Sequence, residues 1–369
     1  MSDPAAPPPT APPIVSVVIP AYNGAALIGE TLASLGEQTL TAWEALVVDD
    51  CSSDDTRELV RNWPDRRVRL IENAVNVGPV NTRNRGFAEA RGRYLAGLDQ
   101  DDLCRPERLA RQVAYLEAHP DVVLVGAQTE QLVGRRVLPM DYAPHTTPDL
   151  IAWLSWIENP LAWSTVMVRA DVARRLDPFT RPEILYAEDF DLYHRIVAFG
   201  RIARLDEPLL IYRQHEGGVS KRFTTLMRVS ATRVLAEVHT PLLGEEADEV
   251  ARLLVVHNMG GAPIPDGATL RRLGEAITRL QNAFVERVEP DAQSLKLIRW
   301  ETARRWRQLA RAALRGGKVT LGDVLASRPP HLGLGYAGVD DLLRWRAIGM
   351  ARRFYRGGHG RQQDTPLQP

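Results

Sequence analysis

Three carboxylates stand within four residues at Asp99, Asp101 and Asp102, directly after the short apolar run 95–98. Such a run is typical of a buried strand, and an Asp-x-Asp spacing turns both side chains to one side at its end. Close carboxylates repel one another, and Mg²⁺ or Mn²⁺ relieves the repulsion because both ions prefer carboxylate oxygens and keep positions open for phosphate. Taken alone, the four residues suit a solvated acidic turn before a helix; a divalent-metal site is the chemical alternative.

Two further apolar runs end in the same way. The turn at 20–24 follows the run at 14–19, and the acid pair Asp49-Asp50 follows the run at 43–48. Because ligands of a parallel sheet bind beyond the carboxyl ends of its strands, we expect these residues and the acidic segment at one sheet edge.

The elements that would position them alternate strictly up to about residue 120. Periodicity predicts strands at 14–19, 43–48, 68–71 and 93–98, and helices at 25–37, from 52, at 79–91 and from 106. This alternation implies a parallel sheet covered by helices. Later elements are predicted as strands at 122–125 and 164–168, helices at 147–157 and 188–199, a closing strand pair within 201–213, and mostly helix from 224 to 357.

Composition restricts the class of protein. The chain has 369 residues, 44% hydrophobic and 25% charged, with a formal net charge of zero. These values are ordinary for a soluble globular protein and predict no nucleic-acid partner. The two cysteines, Cys51 and Cys104, suggest neither a disulfide framework nor a zinc site, so a reducing cytoplasm is expected.

The amino terminus is expected to be a tail. Residues 1–13 are rich in proline and alanine and lack the basic and apolar regions of a signal peptide. No uninterrupted apolar stretch approaches the roughly 20 residues of a membrane span, so we expect a cytoplasmic protein that at most contacts a membrane surface.

Six segments together resemble, in order and approximate spacing, the signature of the family 2 glycosyltransferases of GT-A fold. They are VSVVIPAYN (15–23), VVDDCS (47–52), NVG with RN (76–78, 83–84), LDQDD (98–102), EDFDLYHR (188–195) and YRQHEGGVS (212–220). The resemblance implies an α/β fold, a Rossmann-like sandwich with a mostly parallel central sheet. It covers about 14–222, before a helical region at 223–357 and a tail at 358–369.

The resemblance places the nucleotide on the strand-end loops. Similar enzymes hold the base near the equivalents of Pro20, Tyr22 and Asn23, where a tyrosine ring offers a stacking face. In similar enzymes the acid equivalent to Asp50 accepts the imide N–H of uracil, which favours a UDP-sugar donor here, although thymine presents the same group. Asp49 is expected to hold the loop. Arg83 is expected near the base or phosphates, with an exposed helix arginine as the alternative.

The same resemblance assigns the acids to ribose and metal. Asp99 and Asp101 are the expected ribose and Mn²⁺ or Mg²⁺ contacts, and Asp102 is an alternative ligand to Asp101. Arg213 and His215 alternate at a strand end and so point one way. In similar proteins this loop closes over the diphosphate, and the histidine joins the metal shell.

Similar enzymes use a carboxylate at the start of the helix equivalent to 188–199 to take the proton from the acceptor hydroxyl, and the resemblance implies the same here. We assign this role to Asp189, with Glu188 and Asp191 as alternatives. Acids at a helix start that only compensate the helix dipole are the structural explanation. The expected reaction is inverting sugar transfer in glycoconjugate or cell-envelope polysaccharide assembly, to a saccharide or lipid-linked acceptor.

Two rival functions remain. A sugar-nucleotide pyrophosphorylase would want a basic, glycine-rich loop after the first strand, and 21–26 has no lysine or arginine. A binding or scaffold protein would hold the nucleotide without turnover.

The carboxyl-terminal region carries a local excess of positive charge, with 15 basic and 4 acidic residues over 296–361. The segment 342–356 mixes apolar, aromatic and basic residues. It predicts either peripheral contact with an anionic membrane or a helix packed on the protein with its arginines outward. Sugar, acceptor and oligomeric state are not predicted.

Overall fold

The computed structural model describes residues 12–215, 222–329 and 342–348 of the chain. They divide into two compact units. The first comprises the described parts of Met1–Ser155 and Asn159–Val234, and the second comprises Trp156–Glu158 and the described part of Leu235–Pro369.

Nine strands form one sheet in the described part of the first unit. They are β1 Val15–Ala21, β2 Trp43–Asp49, β3 Val68–Glu72, β4 Tyr94–Gly97, β5 Leu103–Cys104, β6 Val122–Val133, β7 Arg136–Pro139, β8 Met167–Arg169 and β9 Arg201–Gln214. The order is β3-β2-β1-β4-β8-β6-β9-β5, with β7 paired to β6. Strands β3, β2, β1 and β4 are parallel, whereas β8 runs antiparallel to β4 and β6. The predicted α/β class with a parallel sheet is confirmed.

Helices follow the strands as the alternation predicts. They are α1 Ile28–Gly36, α2 Thr56–Arg61, α3 Pro79–Glu89, α4 Arg108–Ala118, α5 Pro148–Ser155, α6 Ala170–Ala173 and α7 Glu188–Ile196. After the undescribed residues 216–221 comes α8, Thr224–Leu243. Proline stands at the first position of α3, where its missing N–H costs no hydrogen bond.

The core of the first unit is built on the central strands. Every residue of β2 and β4 is buried, as are all residues of β1 except Pro20. Strands covered on both faces read as continuous apolar runs, which is why their position was predictable. Gly97 is the last residue of β4. A Cβ there would lie 2.6 Å from the indole ring of Trp163, so this position suits glycine.

The predicted strand pair within 201–213 is wrong. Residues 201–214 form one strand, β9, parallel to the long strand β6. At Asp206-Glu207-Pro208 the strand does not turn back; its register only shifts, between Ala127 and Thr129 of β6. A bulge accommodates the proline, which cannot donate to a sheet ladder, without ending the strand.

The second unit is helical, as predicted. Its elements after α8 are α9 Ala247–Leu253, a π-helical turn Leu254–Met259, α10 Gly267–Val288, α11 Ala292–Gly316 and α12 Leu321–Ala326. Asp266 and Asp291 accept hydrogen bonds as the N-caps of α10 and α11, and Gly317 ends α11 in a left-handed conformation. Among the helices of the described ranges, none is both long enough and apolar enough to span a bilayer.

Residues 156–158 belong to this helical unit although they lie between parts of the first unit in sequence. The buried His239 Nε2 donates to the Trp156 carbonyl oxygen at 2.9 Å, and the Asn258 side chain donates to the Ile157 carbonyl at 3.0 Å. The ring of Trp156 packs edge-on against Phe284 at 5.4 Å. We call these three residues the inserted segment.

Candidate functional site

Three loops meet at the carboxyl edge of neighbouring strands β1, β2 and β4. The Tyr22 backbone N–H donates to Gln100 Oε1 at 3.0 Å, and the Gln100 amide donates back to the Tyr22 carbonyl at 3.1 Å. The Asn23 backbone N–H donates to Ser52 Oγ at 2.9 Å. The loops therefore fix one another, and the structure brings together the residues that the sequence placed at one sheet edge.

The loop after β1 exposes an aromatic ring. Tyr22 is 50% exposed, so its ring is available to a ligand. Asn23 has φ 48°, a left-handed conformation that asparagine tolerates, and its side-chain oxygen accepts from the Ser53 backbone N–H at 2.8 Å. Pro20 lies inside β1, paired with Val48, and so precedes this loop.

Asp50 is buried and heavily hydrogen-bonded. Its Oδ1 accepts from Asn73 Nδ2 and the Val77 backbone N–H, both at 2.8 Å, and its Oδ2 accepts from the Gly78 backbone N–H at 2.9 Å. A carboxylate has about four lone-pair directions, so one remains for a ligand. Asp49 holds its own loop, as expected, by accepting from the Ser52 backbone N–H at 3.0 Å.

The loop after β4, residues 99–102, is called the acid loop. Its three carboxylates have different surroundings. Ser164 Oγ donates to Asp99 Oδ2 at 3.0 Å, and Arg83 lies 3.8 Å from Asp99 Oδ1. Burial raises the pKa of Asp99 to about 6; Arg83 opposes the rise and Asp101 adds to it. Asp102 is buried, and burial together with Asp99 and Asp101 raises its pKa well above the usual range.

The end of β9 is fastened to this acid loop. Arg213 donates from its backbone N–H to Asp102 Oδ1 and from Nε to the Asp101 carbonyl, both at 3.0 Å. Its guanidinium also pairs with Glu30 at 2.6 Å. His215 Nε2 lies 2.7 Å from Asp101 Oδ2. The predicted pair of Asp101 and His215 is therefore in contact, while Arg213 holds the loop in place.

The acid loop fits a divalent cation that takes most of its ligands from elsewhere. Asp102 Oδ2 is buried without a hydrogen-bond partner among the described residues, and burial together with the neighbouring acids raises the pKa of Asp102. In the described ranges no three histidine, cysteine or acidic side chains form a metal cage. Such a loop suits an ion that is completed by phosphate oxygens and water.

Arg83 links the acid loop to α7. Its guanidinium forms a hydrogen-bonded ion pair with Glu188, and both side chains are 7% exposed. The guanidinium carbon lies 4.2 Å from the Trp163 ring centroid, a cation–π distance. Arg83 Nε, Glu188 Oε2 and Trp163 Nε1 are buried without partners in the described part of the chain. Arg83 is therefore a buried residue of the site, which removes the exposed-helix alternative.

The three acids of α7 have different partners. Asp191 is buried and pairs with Arg181 and, at 2.8 Å, with Arg195, so its charge is neutralised within the fold. Glu188 pairs with Arg83. No ion pair of the described residues includes Asp189. Of the three, Asp189 is the carboxylate without an ion-pair partner among the described residues.

Asp189 is held by neutral donors. Asn159 Nδ2 donates to its Oδ2 at 3.0 Å, and the Phe190 backbone N–H donates to its Oδ1 at 2.7 Å. Burial, reinforced by the adjacent Glu188, raises the pKa of Asp189 to about 6, and Asn159 and Arg83 oppose the rise. A carboxylate with such a pKa is ionised at neutral pH yet basic enough to accept a proton.

Sequence reasoning missed two residues of this site. Ser164 and Asn159 contact Asp99 and Asp189 across 65 and 30 residues of sequence. The Asn159-Pro160 dipeptide signals a fixed turn, because proline restricts the residue before it, but this signal names no partner.

Comparison with known proteins agrees with the motif order. The family model Glycosyl transferase family 2 matches residues 16–176. The putative glycosyltransferase EpsE of Bacillus subtilis is 32% identical over 225 residues, 58% of this chain and 77% of EpsE. The Escherichia coli UDP-Glc:alpha-D-GlcNAc-diphosphoundecaprenol beta-1,3-glucosyltransferase WfgD is 28% identical over 223 residues, 58% of this chain and 83% of WfgD.

A crystal structure of Staphylococcus aureus TarS 1–349 in complex with UDP matches 96% of this chain and 94% of that one, at 20% identity and TM-score 0.48. A TM-score of this size lends no weight to a shared site. The match to most of EpsE at 32% identity, together with the family model, is decisive. This chain belongs to the family 2 glycosyltransferases and is a glycosyltransferase.

Proposed function

We propose that this enzyme transfers a sugar with inversion from a UDP-sugar to an acceptor hydroxyl, with Asp189 as general base. The observation that carries the proposal is that Asp189, alone among the three acids of α7 in the described structure, has no cationic partner, while its pKa is raised to about 6. The acceptor oxygen attacks the anomeric carbon from the face opposite the diphosphate. The bond to the diphosphate breaks, and Asp189 takes the hydroxyl proton.

The donor would lie along the interlocked loops. Tyr22 offers its ring to the base, and Asp50 keeps one lone-pair direction for a base N–H. Asp99 and Arg83 follow toward ribose and phosphate. UDP is favoured because WfgD, by its name, uses UDP-Glc. A thermal-shift comparison of UDP, dTDP and GDP tests this choice, and stabilisation by GDP alone would contradict it.

A divalent ion, Mn²⁺ or Mg²⁺, would be held by Asp101, with Asp99 and His215 beside it. When bound, it would supply positive charge to the departing diphosphate. Arg213 would keep the acid loop in register, since it is fastened there through its backbone and its guanidinium.

The experiment compares Asp189→Asn with Asp171→Asn, a matched change of an exposed acid in the first turn of α6. Loss of a general base predicts a fall in turnover of about 10²–10⁴-fold in Asp189→Asn, with UDP binding retained. The anomeric configuration of the product, read by NMR, checks inversion. Normal turnover in Asp189→Asn, or a retained configuration, would remove the proposal.

The acceptor is proposed to be a saccharide of a polysaccharide or glycoconjugate, carried on a lipid diphosphate as in the printed name of WfgD. Release of UDP with a lengthened lipid-linked saccharide is the expected assay result. Nucleotide binding without donor consumption, in the presence of Mn²⁺ and such acceptors, would contradict this proposal.

A peripheral place at the inner face of the cytoplasmic membrane is proposed from the helical unit. Arg311 and Arg315 lie 4.8 and 5.4 Å from the Trp345 ring, so basic and aromatic groups meet on one surface, and Leu343 in the same helical segment is 46% exposed. Vesicle co-sedimentation should weaken in Arg311→Glu/Arg315→Glu but not in the exposed control Arg287→Glu. Equal sedimentation of all three proteins would dismiss the contact.

A further inference from the structure

The side-chain amide of Asn159 is oriented by two hydrogen bonds, one that it donates and one that it accepts. Its Nδ2 donates to Asp189 Oδ2 at 3.0 Å, and its Oδ1 accepts from the Leu161 backbone N–H at 3.4 Å. An ionised carboxylate only accepts, and a backbone N–H only donates, so the two partners fix which end of the amide faces Asp189.

The segment around Asn159 is fastened to the face of α7 that carries Asp189. The Tyr193 hydroxyl donates to the Leu161 carbonyl at 3.5 Å, and Tyr193 lies four residues after Asp189, which places both on one side of the helix. Pro160 restricts the Asn159 backbone to extended conformations. Asn159 is therefore held against Asp189 from two directions.

Asn159 differs chemically from the partners of the neighbouring acids. Glu188 and Asp191 receive arginines, whereas Asp189 receives an amide. A charged donor would strongly favour the ionised form and weaken the base. A neutral amide steadies the carboxylate and leaves it able to accept a proton.

We propose that Asn159 is a positioning residue for the transfer reaction: its amide fixes the rotation of the Asp189 carboxylate and leaves a lone pair on each oxygen for the acceptor proton. This inference deepens the proposed function and rests on it. The Phe190 backbone N–H occupies one direction on Oδ1 and Asn159 one on Oδ2, so two of about four remain.

The charged and titratable groups around Asp189 define what a change at Asn159 should do. Glu188 raises the Asp189 pKa, and Arg83 lowers it from the other side. Tyr193, whose own pKa is raised well above its usual range by burial, stays neutral. Asn159 is the side-chain hydrogen-bond donor that opposes burial. Its removal should therefore raise the pKa of Asp189.

The test is the pH profile of kcat/KM for Asn159→Leu and Asn159→Ala. Asn159→Leu keeps a side chain of similar volume and removes the amide without adding a charge, so it serves where the alanine variant folds poorly. Loss of a hydrogen bond to a charged group should move the acidic limb up by about 1–2 pH units. From a pKa of about 6, the shift alone should lower activity about 5- to 50-fold at pH 6 and less than about 1.2-fold at pH 9, and the loss of orientation adds an equal factor at every pH.

Asn84→Ala is the matched control, because Asn84 is another asparagine that hydrogen-bonds to a loop distant in sequence. It donates to the Thr180 carbonyl at 2.7 Å and accepts from the Thr180 N–H at 3.0 Å. The Asn84→Ala change should lower the melting temperature and leave the acidic limb in place. An unmoved acidic limb in both Asn159 variants would show that the amide does not act on Asp189, and would overturn the positioning role while the proposed function stands. Full turnover by Asp189→Asn would instead overturn the proposed function itself.

Discussion

Because the pKa of Asp189 is raised, replacing this residue should change the free energy of unfolding in a pH-dependent way. The variant should gain stability over the unchanged protein as the pH rises from acid to neutral. The perturbation is Asp189→Asn, which removes one titrating group. Burial beside Glu188 raises the pKa of this carboxyl from its usual 3.8 to about 6. Ionising it in the folded protein is therefore costly.

The sign follows from the proton count. Between pH 3.8 and about 6 the folded protein holds a proton on Asp189 that the unfolded chain has lost, so the free energy of unfolding falls as pH rises through this window. The loss is complete above the folded pKa. A rise of about two pKa units corresponds to about 3 kcal/mol. Asp189→Asn has no titrating group at this position, so its free energy of unfolding does not fall for this reason.

The assay is urea unfolding of both proteins at several pH values between about 4 and 7, followed by circular dichroism. The variant's stability relative to the unchanged protein should grow by about 3 kcal/mol across this range. A fixed cost from the new amide facing Asn159 is the same at every pH and cancels in the comparison. Asp171→Asn, at an exposed site, should show no such trend. If the difference in unfolding free energy between Asp189→Asn and the unchanged protein did not vary with pH, a raised pKa of Asp189 would be refuted.

Three further predictions concern the surrounding site. Asp101→Ala should lose Mn²⁺-dependent turnover with an unchanged melting temperature; an unaltered Mn²⁺ titration would contradict the metal assignment. Arg83→Met leaves Glu188 buried without its cation and should cost about 3–5 kcal/mol in urea unfolding, recovered in part by adding Glu188→Gln; additive losses would show that the pair is not coupled. Gly97→Ala would place a Cβ 2.6 Å from the Trp163 ring and should destabilise by about 1–3 kcal/mol; an unchanged urea midpoint would show that the ring can move aside.

The first half of the fold was predictable because its signals are local. Strands β1, β2 and β4 are buried on both faces and so read as unbroken apolar runs. The carboxyl ends of parallel strands lie at the same edge of a sheet. The loops of Tyr22, Asp50 and Asp101 were therefore predicted at one edge, where the structure has them.

The remainder depends on contacts that sequence spacing cannot supply. Asn159 and Ser164 reach acids far along the chain, and Arg213 holds the acid loop across 112 residues. The sequence does not show that Arg181 pairs with Asp191, whereas no ion pair of the described residues includes Asp189. The roles of these residues in transfer stay predictions.

The inserted segment has a practical consequence for exchanging parts between related enzymes. The partners of Trp156 and Glu158 lie on helices far downstream, at His239, Phe284 and Arg305. A chimera joined at a single point near residue 222 would give these three residues a foreign set of neighbours. Grafting a new carboxyl-terminal half should therefore succeed only when 156–158 are transplanted with it.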